Sequence, residues 1–144
     1  MIVSNSENGA SGYGNLFTVF SVCQSTDWWI DTGANIHVCC DFSLFSSYQV
    51  TGNGSVLMGN GLSASVLGVG MVDLKFTSGR IVQLKNVQHV PAIKKNLVSG
   101  SLLCREGFKL VFESSKVVFT KYGLFDGKDY ECGGLFRFSL ADFF

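Results

Sequence analysis

Apolar and polar residues alternate along most of this chain in short runs that glycine-rich turns interrupt. Runs of this kind, rich in Val, Ile and Phe, are typical of β-strands joined by tight turns. The pattern predicts strands over residues 16–22, 71–76 and 81–90 and a hairpin of 108–112 with 116–121. In the run 81–90 the apolar residues do not alternate cleanly, which predicts a bulge or burial on both faces. The chain therefore reads as an all-β protein.

Glycine and asparagine mark the turns between these strands. Gly52-Asn53-Gly54 and the stretch 77–80 carry turn signals, and Gly68-Val69-Gly70 predicts a bulge or bend. Residues 55–58 and 62–67 are predicted to form a hairpin that folds at Gly59-Asn60-Gly61. Asn-Gly tolerates a positive φ at both central turn positions, so a tight hairpin is favoured there.

Helical signals are short and few. Asp41 is a candidate N-cap for a single helical turn, because its carboxylate can accept from the first free backbone N–H groups. Pro91 is expected to end the preceding strand. Asn96 is a candidate cap for a helix over 97–105 that Gly107 would close.

One stretch carries candidate chemistry. An apolar run that ends in Trp28-Trp29-Ile30 leads directly into Asp31-Thr32-Gly33-Ala34. This order predicts a buried strand that delivers a carboxylate into a tight turn, where Thr32 can bond backbone and Gly33 permits close approach. On its own the tripeptide fits an ordinary Asp-initiated turn equally well.

The residues around Asp31 resemble the active-site segment of aspartic proteases from Ty1/copia retrotransposons, in which an apolar residue, Asp-Ser/Thr-Gly-Ala and a following His recur. Further matching segments stand in the family's order along the chain. In this sequence the matching segments are residues 29–37, 44–48, 56–61, 66–70, 84–91, 94–99 and 107–112.

The resemblance implies a closed retropepsin-like acid protease β-barrel with one or two short helices, acting as a homodimeric aspartic endopeptidase on a polyprotein. It makes Asp31 the catalytic residue. It gives Thr32, Gly33 and Ala34 supporting roles in the active-site loop, and Gly59-Asn60-Gly61 the tip of a substrate-binding flap. An ordinary surface hairpin at 59–61 stays open as the alternative reading.

Counting motifs supports the homodimer. Two close carboxylates that share one proton are needed for amide hydrolysis by this chemistry, and the sequence has one Asp-Thr-Gly. The second carboxylate is therefore expected from a second copy of the chain. The predicted organisation is a flexible lead-in over 1–15, a protease domain over 16–120, and a C-terminal extension or junction toward the next polyprotein domain over 121–144.

Composition limits the partners. With 11 basic and 11 acidic residues the formal net charge is zero, so no nucleic-acid binding is expected of this domain. No apolar run is long enough for a membrane-spanning helix. Five cysteines without secretory features predict free thiols in a reducing, cytoplasmic setting. The resemblance adds virus-like particles as a location within the cytoplasm.

A zinc site and a thiol protease are the alternative kinds of site that the histidines and cysteines suggest. A zinc site or a thiol protease would draw on His37, Cys39 and Cys40, but no CxxC occurs and packing cysteines are the more common case. The further candidates for such sites are His89, Cys104 and Cys132. No metal and no cofactor are predicted. The alternatives to an enzyme are a degenerate or domesticated barrel that serves as a binding or dimerisation module, and a monomeric adaptor.

Overall fold

The computed structural model describes residues 3–5, 26–113, 116–121, 124–132, 135–138 and 140. Within this part of the chain eleven strands form one sheet. The strands are β1 (Val3–Asn5), β2 (Trp28–Asp31), β3 (Val38–Cys39), β4 (Ser47–Leu57), β5 (Ser63–Lys75), β6 (Ile81–His89), β7 (Asn96–Ser99), β8 (Phe108–Glu113), β9 (Lys116–Lys121), β10 (Leu124–Cys132) and β11 (Leu135–Phe138). A helix, α1 (Gly100–Arg105), follows β7, and 3-10 turns span Phe42–Leu44 and Pro91–Ile93.

The order of strands across the sheet is β1-β4-β5-β6-β3-β7-β2-β11-β10-β9-β8. Most neighbours are antiparallel, but β2 pairs with β7, and β3 with β6, in parallel. The short strand β7 thus lies between β2 and β3, and all four of its residues are buried. This arrangement places the strand that carries Asp31 near the middle of the sheet.

Two apolar clusters hold the sheet. The main core takes residues from strands on both sides of β2, so the sheet must curve around it. Its members are Trp28, Ile30, Cys39, Val72, Leu74, Phe76, Val82, Leu84, Val87, Val98, Leu103, Phe108, Phe119 and Phe138. The second cluster, called the flap-side core below, comprises Ala34, Val38, Val56, Ala64, Val66, Val90 and Leu97. The all-β prediction is confirmed.

Two predicted hairpin turns are present, with one correction. The β4–β5 and β5–β6 hairpins both close with three-residue loops, in which Gly61 and Gly79 have φ of 83° and 91°. Asn60 is not among the non-glycine residues of positive φ, so the expectation of positive φ at both Asn60 and Gly61 is wrong. A type I turn followed by one left-handed glycine satisfies the hairpin instead.

The glycines inside the hairpins do not end strands. Gly52-Asn53-Gly54 lies within β4, where the register with β5 shifts, so a turn there is wrong. Gly68 and Gly70 lie within the continuous strand β5, and a β-carbon at Gly70 would overlap the carbonyl oxygen of Ser47. These two glycines are places of close approach between strands. The bulge in the β5–β6 pair falls next to Gly70.

The helix begins later than predicted. Residues 96–99 are strand, and Ser99 caps α1, its Oγ accepting from Leu102 N at 3.2 Å. Asn96 is buried in β7 and bonds other strands, so its predicted capping role is wrong. Asp41, by contrast, caps the 3-10 turn as predicted, with Oδ1 accepting from Ser43 N at 2.9 Å.

Both ends of the chain contribute strands. β1 falls inside the range predicted as a lead-in and pairs with residues 55–57 of β4. β10 and β11 fall inside the predicted extension 121–144, and β11 pairs with β2. The predicted strand 16–22 lies outside the described residues. In the described part of the chain, no helix is long and apolar enough to cross a membrane.

Candidate active site

Asp31 stands where β2 ends and a tight turn begins. Its side chain is half-buried, and Oδ1 accepts a hydrogen bond from Gly33 N at 2.9 Å. The backbone closes the same turn, because Ala34 N donates to Asp31 O at 3.4 Å. The prediction of a strand that delivers Asp31 into a tight turn is confirmed, and the carboxylate is oriented by its own loop while remaining partly exposed.

The other residues of the motif divide by exposure. Thr32 and Gly33 are exposed, whereas Ala34 is buried in the flap-side core. On its inner side Thr32 packs against α1: a β-carbon at Gly100 would lie 3.4 Å from Thr32 Cγ2. The structure thus brings all four predicted loop residues into one turn, with its outer edge free in this chain.

Ser99 ties this loop to the rest of the sheet. It lies directly opposite Asp31 in the parallel β2–β7 pair and is fully buried. Its Oγ donates to Ala34 O at 2.6 Å, and its backbone N–H donates to His37 Nδ1 at 2.9 Å. Ser101 Oγ also reaches Ala34 O, at 3.3 Å. These bonds fix the loop immediately after the carboxylate.

Asn96 makes a similar connection at the other end of β7. Its Oδ1 accepts from Cys40 N at 2.9 Å, and its Nδ2 donates to Asp27 O at 3.0 Å. One buried amide therefore joins the residue before β2 to the residue after β3. Such buried polar groups rigidify a site when their bonds are satisfied.

His37 is buried close behind the loop, and burial lowers its pKa from 6.5 to about 4. A neutral ring is consistent with its bonding, because Nδ1 accepts from Ser99 and the proton must then reside on Nε2. Nε2 is buried without a hydrogen-bond partner. The backbone of His37 is held by β6, whose Gln88 N donates to His37 O at 2.9 Å.

The predicted flap is the β4–β5 hairpin. The end of the hairpin nearest its turn is joined to the active-site loop through the flap-side core, which Val56, Ala64 and Val66 share with Ala34. Its tip, Gly59-Asn60-Gly61, is an exposed turn in which Asn60 Oδ1 accepts from Leu62 N at 3.0 Å. The strand ends next to the turn thus pack on the cluster that includes the loop, while the three tip residues face solvent.

The cysteines whose side chains the structure describes, Cys39, Cys40 and Cys104, show no catalytic arrangement. Cys40 is disulfide-bonded, so the prediction of free thiols is wrong for this residue, while Cys39 and Cys104 are free. Burial raises the pKa of Cys39 to about 12, which disfavours the thiolate that a thiol protease needs. Across the described residues, no group of three or more His, Cys, Asp or Glu is placed to hold a metal ion.

Sequence reasoning missed Ser99 and Asn96 as parts of this site. Both had been assigned to a helix or its cap, whereas they are buried polar residues that flank the apolar pair Leu97-Val98. A polar residue at each end of a short, wholly apolar run was the available signal. His37 was noted only through the family resemblance and the metal and thiol alternatives.

Comparison with known proteins identifies the family to which the chain belongs. Residues 28–108 match the family described as Pol polyprotein, beta-barrel domain. The chain is 35% identical over 112 residues to the retrovirus-related Pol polyprotein from transposon TNT 1-94 of Nicotiana tabacum, covering 78% of this chain and 8% of that protein. No solved structure matches the chain.

Two further relatives are also transposon proteins. The retrovirus-related Pol polyprotein from transposon RE1 of Arabidopsis thaliana is 36% identical over 82 residues, 56% of this chain and 6% of that protein. The putative transposon Ty5-1 protein of Saccharomyces cerevisiae is 36% identical over 76 residues, 53% of this chain and 49% of that protein. The chain thus spans a small part of the plant polyproteins and about half of the yeast protein. It belongs to the family of Pol polyprotein beta-barrel domains, of the Ty1/copia retrotransposon type.

Proposed function

We propose that this domain is a retropepsin-like aspartic endopeptidase that works as a homodimer, with the strands of each copy closed into a barrel. The observation that carries the proposal is the placement of Asp31. This half-buried carboxylate ends a central strand, is oriented by the amide of Gly33, and lies beside the exposed Thr32. A carboxylate used only to start a turn would not need a buried network behind its loop.

The chemistry follows from two such carboxylates side by side. One ionised Asp31 takes a proton from the attacking water, while the protonated Asp31 of the second copy polarises the peptide carbonyl. Two adjacent carboxylates share one proton, since ionising both in one site is costly. The bond that breaks is the peptide C–N bond, and the proton taken from water is available to the leaving amine.

The homodimer supplies the second acid without a second motif. A two-fold axis beside Asp31 would bring two identical loops together, and a two-fold interface uses the same patch of both copies. The exposed edge formed by Thr32 and Gly33 is the part of the loop that can meet its copy. In this arrangement Thr32 braces the two loops against each other, and Gly33 leaves room for substrate.

The β4–β5 hairpin is proposed as the lid over a bound peptide. Its arms can pair with an extended substrate by strand addition, and closing it would exclude water. Leu57 and Leu62, which flank the tip, are 41% and 63% exposed and would be covered on closure. The strand ends next to the tip pack in the flap-side core, so this end of the hairpin already contacts the cluster that contains Ala34 of the active-site loop.

The natural substrate proposed is the Gag-Pol polyprotein that contains the domain, cleaved in the cytoplasm or within virus-like particles. The names of the relatives, which are Pol polyproteins, support this source. The protease domain proposed over 16–120 would be completed by β1, β10 and β11, which pair with its strands. It would not itself bind nucleic acid, because the formal net charge is zero.

Peptide cleavage by wild type and by Asp31→Asn tests this proposal. An amide cannot act as a carboxylate base, so Asp31→Asn should lose at least ~10³-fold in kcat/KM while its circular dichroism is unchanged. The matched control is Asp73→Asn, an exposed aspartate of β5 that accepts from Gln83 Nε2 and should keep full activity. Equal activity of Asp31→Asn and wild type, or no cleavage by wild type, would refute the proposal.

A further inference from the structure

We propose that His37 and Ser99 act as a positioning pair that holds the Asp31 loop in its working shape. The inference rests on the proposed endopeptidase function for its kinetic consequence, but its structural part is independent of that function. Neither side chain would touch substrate. They would act on catalysis through the backbone of residues 31–37.

Ser99 is buried and held by structure on two sides. It is the last residue of the buried strand β7, is paired with Asp31 across β2, and caps α1 through its Oγ. A residue held by a strand on one side and a helix on the other is a fixed reference point for whatever it bonds. What it bonds is the loop.

Ser99 holds the loop of residues 31–37 at two points. Its Oγ donates to Ala34 O at 2.6 Å and its N–H donates to His37 Nδ1 at 2.9 Å. Ala34 is in turn bonded to Asp31 through the backbone, and Gly33 N bonds the carboxylate. Hydrogen bonds therefore link the imidazole to Ser99, Ser99 to Ala34, and Ala34 to the backbone carbonyl of Asp31, whose carboxylate is bonded by the next residue but one, Gly33.

An imidazole at position 37 would lower the stability of the core if packing were its only role. His37 is 1% exposed, and its Nε2 has no hydrogen-bond partner. A buried polar atom without a partner destabilises a protein, and an apolar ring of similar shape would avoid the cost. What an apolar ring could not do is accept the N–H of Ser99, which would then be the unpaired group. The hydrogen bond that His37 Nδ1 accepts from Ser99 therefore explains why a histidine stands at this position.

The test compares His37→Phe, which keeps a ring and removes the acceptor, with His37→Asn, whose Oδ1 lies where Nδ1 does. The control is His89→Phe. His89 is the other buried histidine, 3% exposed, and its Nδ1 is 2.8 Å from Tyr48 Oη, outside the network around Ser99. Each variant is assayed for kcat and KM on a peptide, and for amide hydrogen exchange across residues 31–37.

For His37→Phe we expect kcat to fall about tenfold or more with KM within about threefold, because misplaced catalytic groups lose rate rather than binding. Amides of Gly33 and Ala34 should exchange about tenfold faster, since a loop that opens locally loses protection. His37→Asn should recover most of both quantities. His89→Phe should leave both close to wild type even if its melting temperature drops equally.

Wild-type kcat and exchange in His37→Phe would overturn the inference, as would equal losses in His37→Phe and His89→Phe, which would indicate a structural role only. If His37→Phe does not fold, Ser99→Ala takes its place, with the same expected loss of kcat and loop protection. A wild-type protein that cleaves nothing refutes the proposed function alone, and hydrogen exchange then decides whether the pair positions the loop.

Discussion

Buried histidines are the residues whose protonation state most affects this fold. Burial lowers the pKa of His37 to about 4, and burial also lowers the pKa of His89. The unfolded chain binds a proton on each imidazole near pH 6.5. The folded state resists that proton, and at His37 a proton on Nδ1 would also remove the acceptor for the N–H of Ser99.

The free energy of unfolding should therefore decrease in mild acid. A group whose folded pKa lies below its unfolded pKa contributes fully above the unfolded value, and the contribution is lost as pH falls from about 6.5 toward 4. For His37 the loss is on the order of 3 kcal/mol. Urea unfolding of wild type and His37→Phe at several pH values measures it. The difference between the two proteins should shift in favour of His37→Phe as pH falls, and a difference that stays constant with pH would contradict the assignment.

At the scale of single residues, the sequence predicted those whose role follows from their immediate neighbours in the chain. Asp31 could be found because an apolar strand, an acid and a glycine follow one another. The bonds of Asn96 to Cys40 and of Ser99 to His37 join residues 56 and 62 positions apart. No local pattern encodes which polar side chain a distant strand will meet, so these partners required the structure.

The two three-residue loops are a matched pair of elements. Gly61 at the proposed flap tip and Gly79 in the β5–β6 turn both have positive φ, and neither would bring an added β-carbon within 4 Å of other atoms. The strain from a side chain at either position is therefore conformational and not a clash. The two turns differ in function under the proposal, since only the first covers substrate.

Gly61→Val and Gly79→Val should each cost roughly 1–2 kcal/mol of stability, because a β-branched residue resists the left-handed region. Only Gly61→Val should raise KM for a peptide, since it distorts the lid. Denaturant unfolding and steady-state kinetics measure the two effects. A raised KM in both variants, or in neither, would argue that the β4–β5 hairpin lies away from the substrate.

Turn signals in this sequence predicted the ends of hairpins well and the interiors poorly. Asn60-Gly61 and Ser78-Gly79 form turns as predicted. Gly52-Asn53-Gly54 does not, because it lies inside β4, where the register with β5 shifts. Gly68 serves close approach, because the ring of Tyr48 occupies the space that a side chain at 68 would need. Glycine is required both for positive φ and for close approach, and the sequence does not distinguish the two reasons.

The main core joins β2 to strands near the C-terminal end of the described chain. Phe138 of β11 lies 5.3 Å, ring centre to ring centre, from both Phe76 and Phe119, and β11 pairs with the strand that carries Asp31. Part of the segment predicted as a junction, 121–144, therefore packs beside the candidate active site. This strand supports β2 on the side opposite β7.

Phe138→Ala should lower the free energy of unfolding by about 3–5 kcal/mol, the usual cost of removing a buried aromatic ring. Phe112→Ala is the control: Phe112 is 51% exposed on β8, so its loss should cost much less. Urea titration of both variants decides the point. Equal, small effects would show that the C-terminal strands are dispensable to the core.

At the scale of the whole molecule, the strand content was predictable and the strand order was not. Alternation and turns indicate antiparallel hairpins such as β8–β9, whose strands are neighbours in sequence. The parallel pair of β2 with β7 joins residues 28–31 to 96–99, the second of which the sequence pattern assigned to a helix and its cap. Pairing between distant strands depends on the packing of the complete core.

The most direct test of the central claim, that two copies of Asp31 form one catalytic site, is a mixing titration. Wild type and Asp31→Asn are allowed to exchange subunits at a fixed total concentration well above the dimer dissociation constant, and peptide cleavage is measured. Random pairing leaves about a quarter of the dimers with two carboxylates at a one-to-one ratio, so activity should fall with the square of the wild-type fraction. A linear decrease, in which half the activity remains at that ratio, would show that one chain is sufficient and would contradict the shared site.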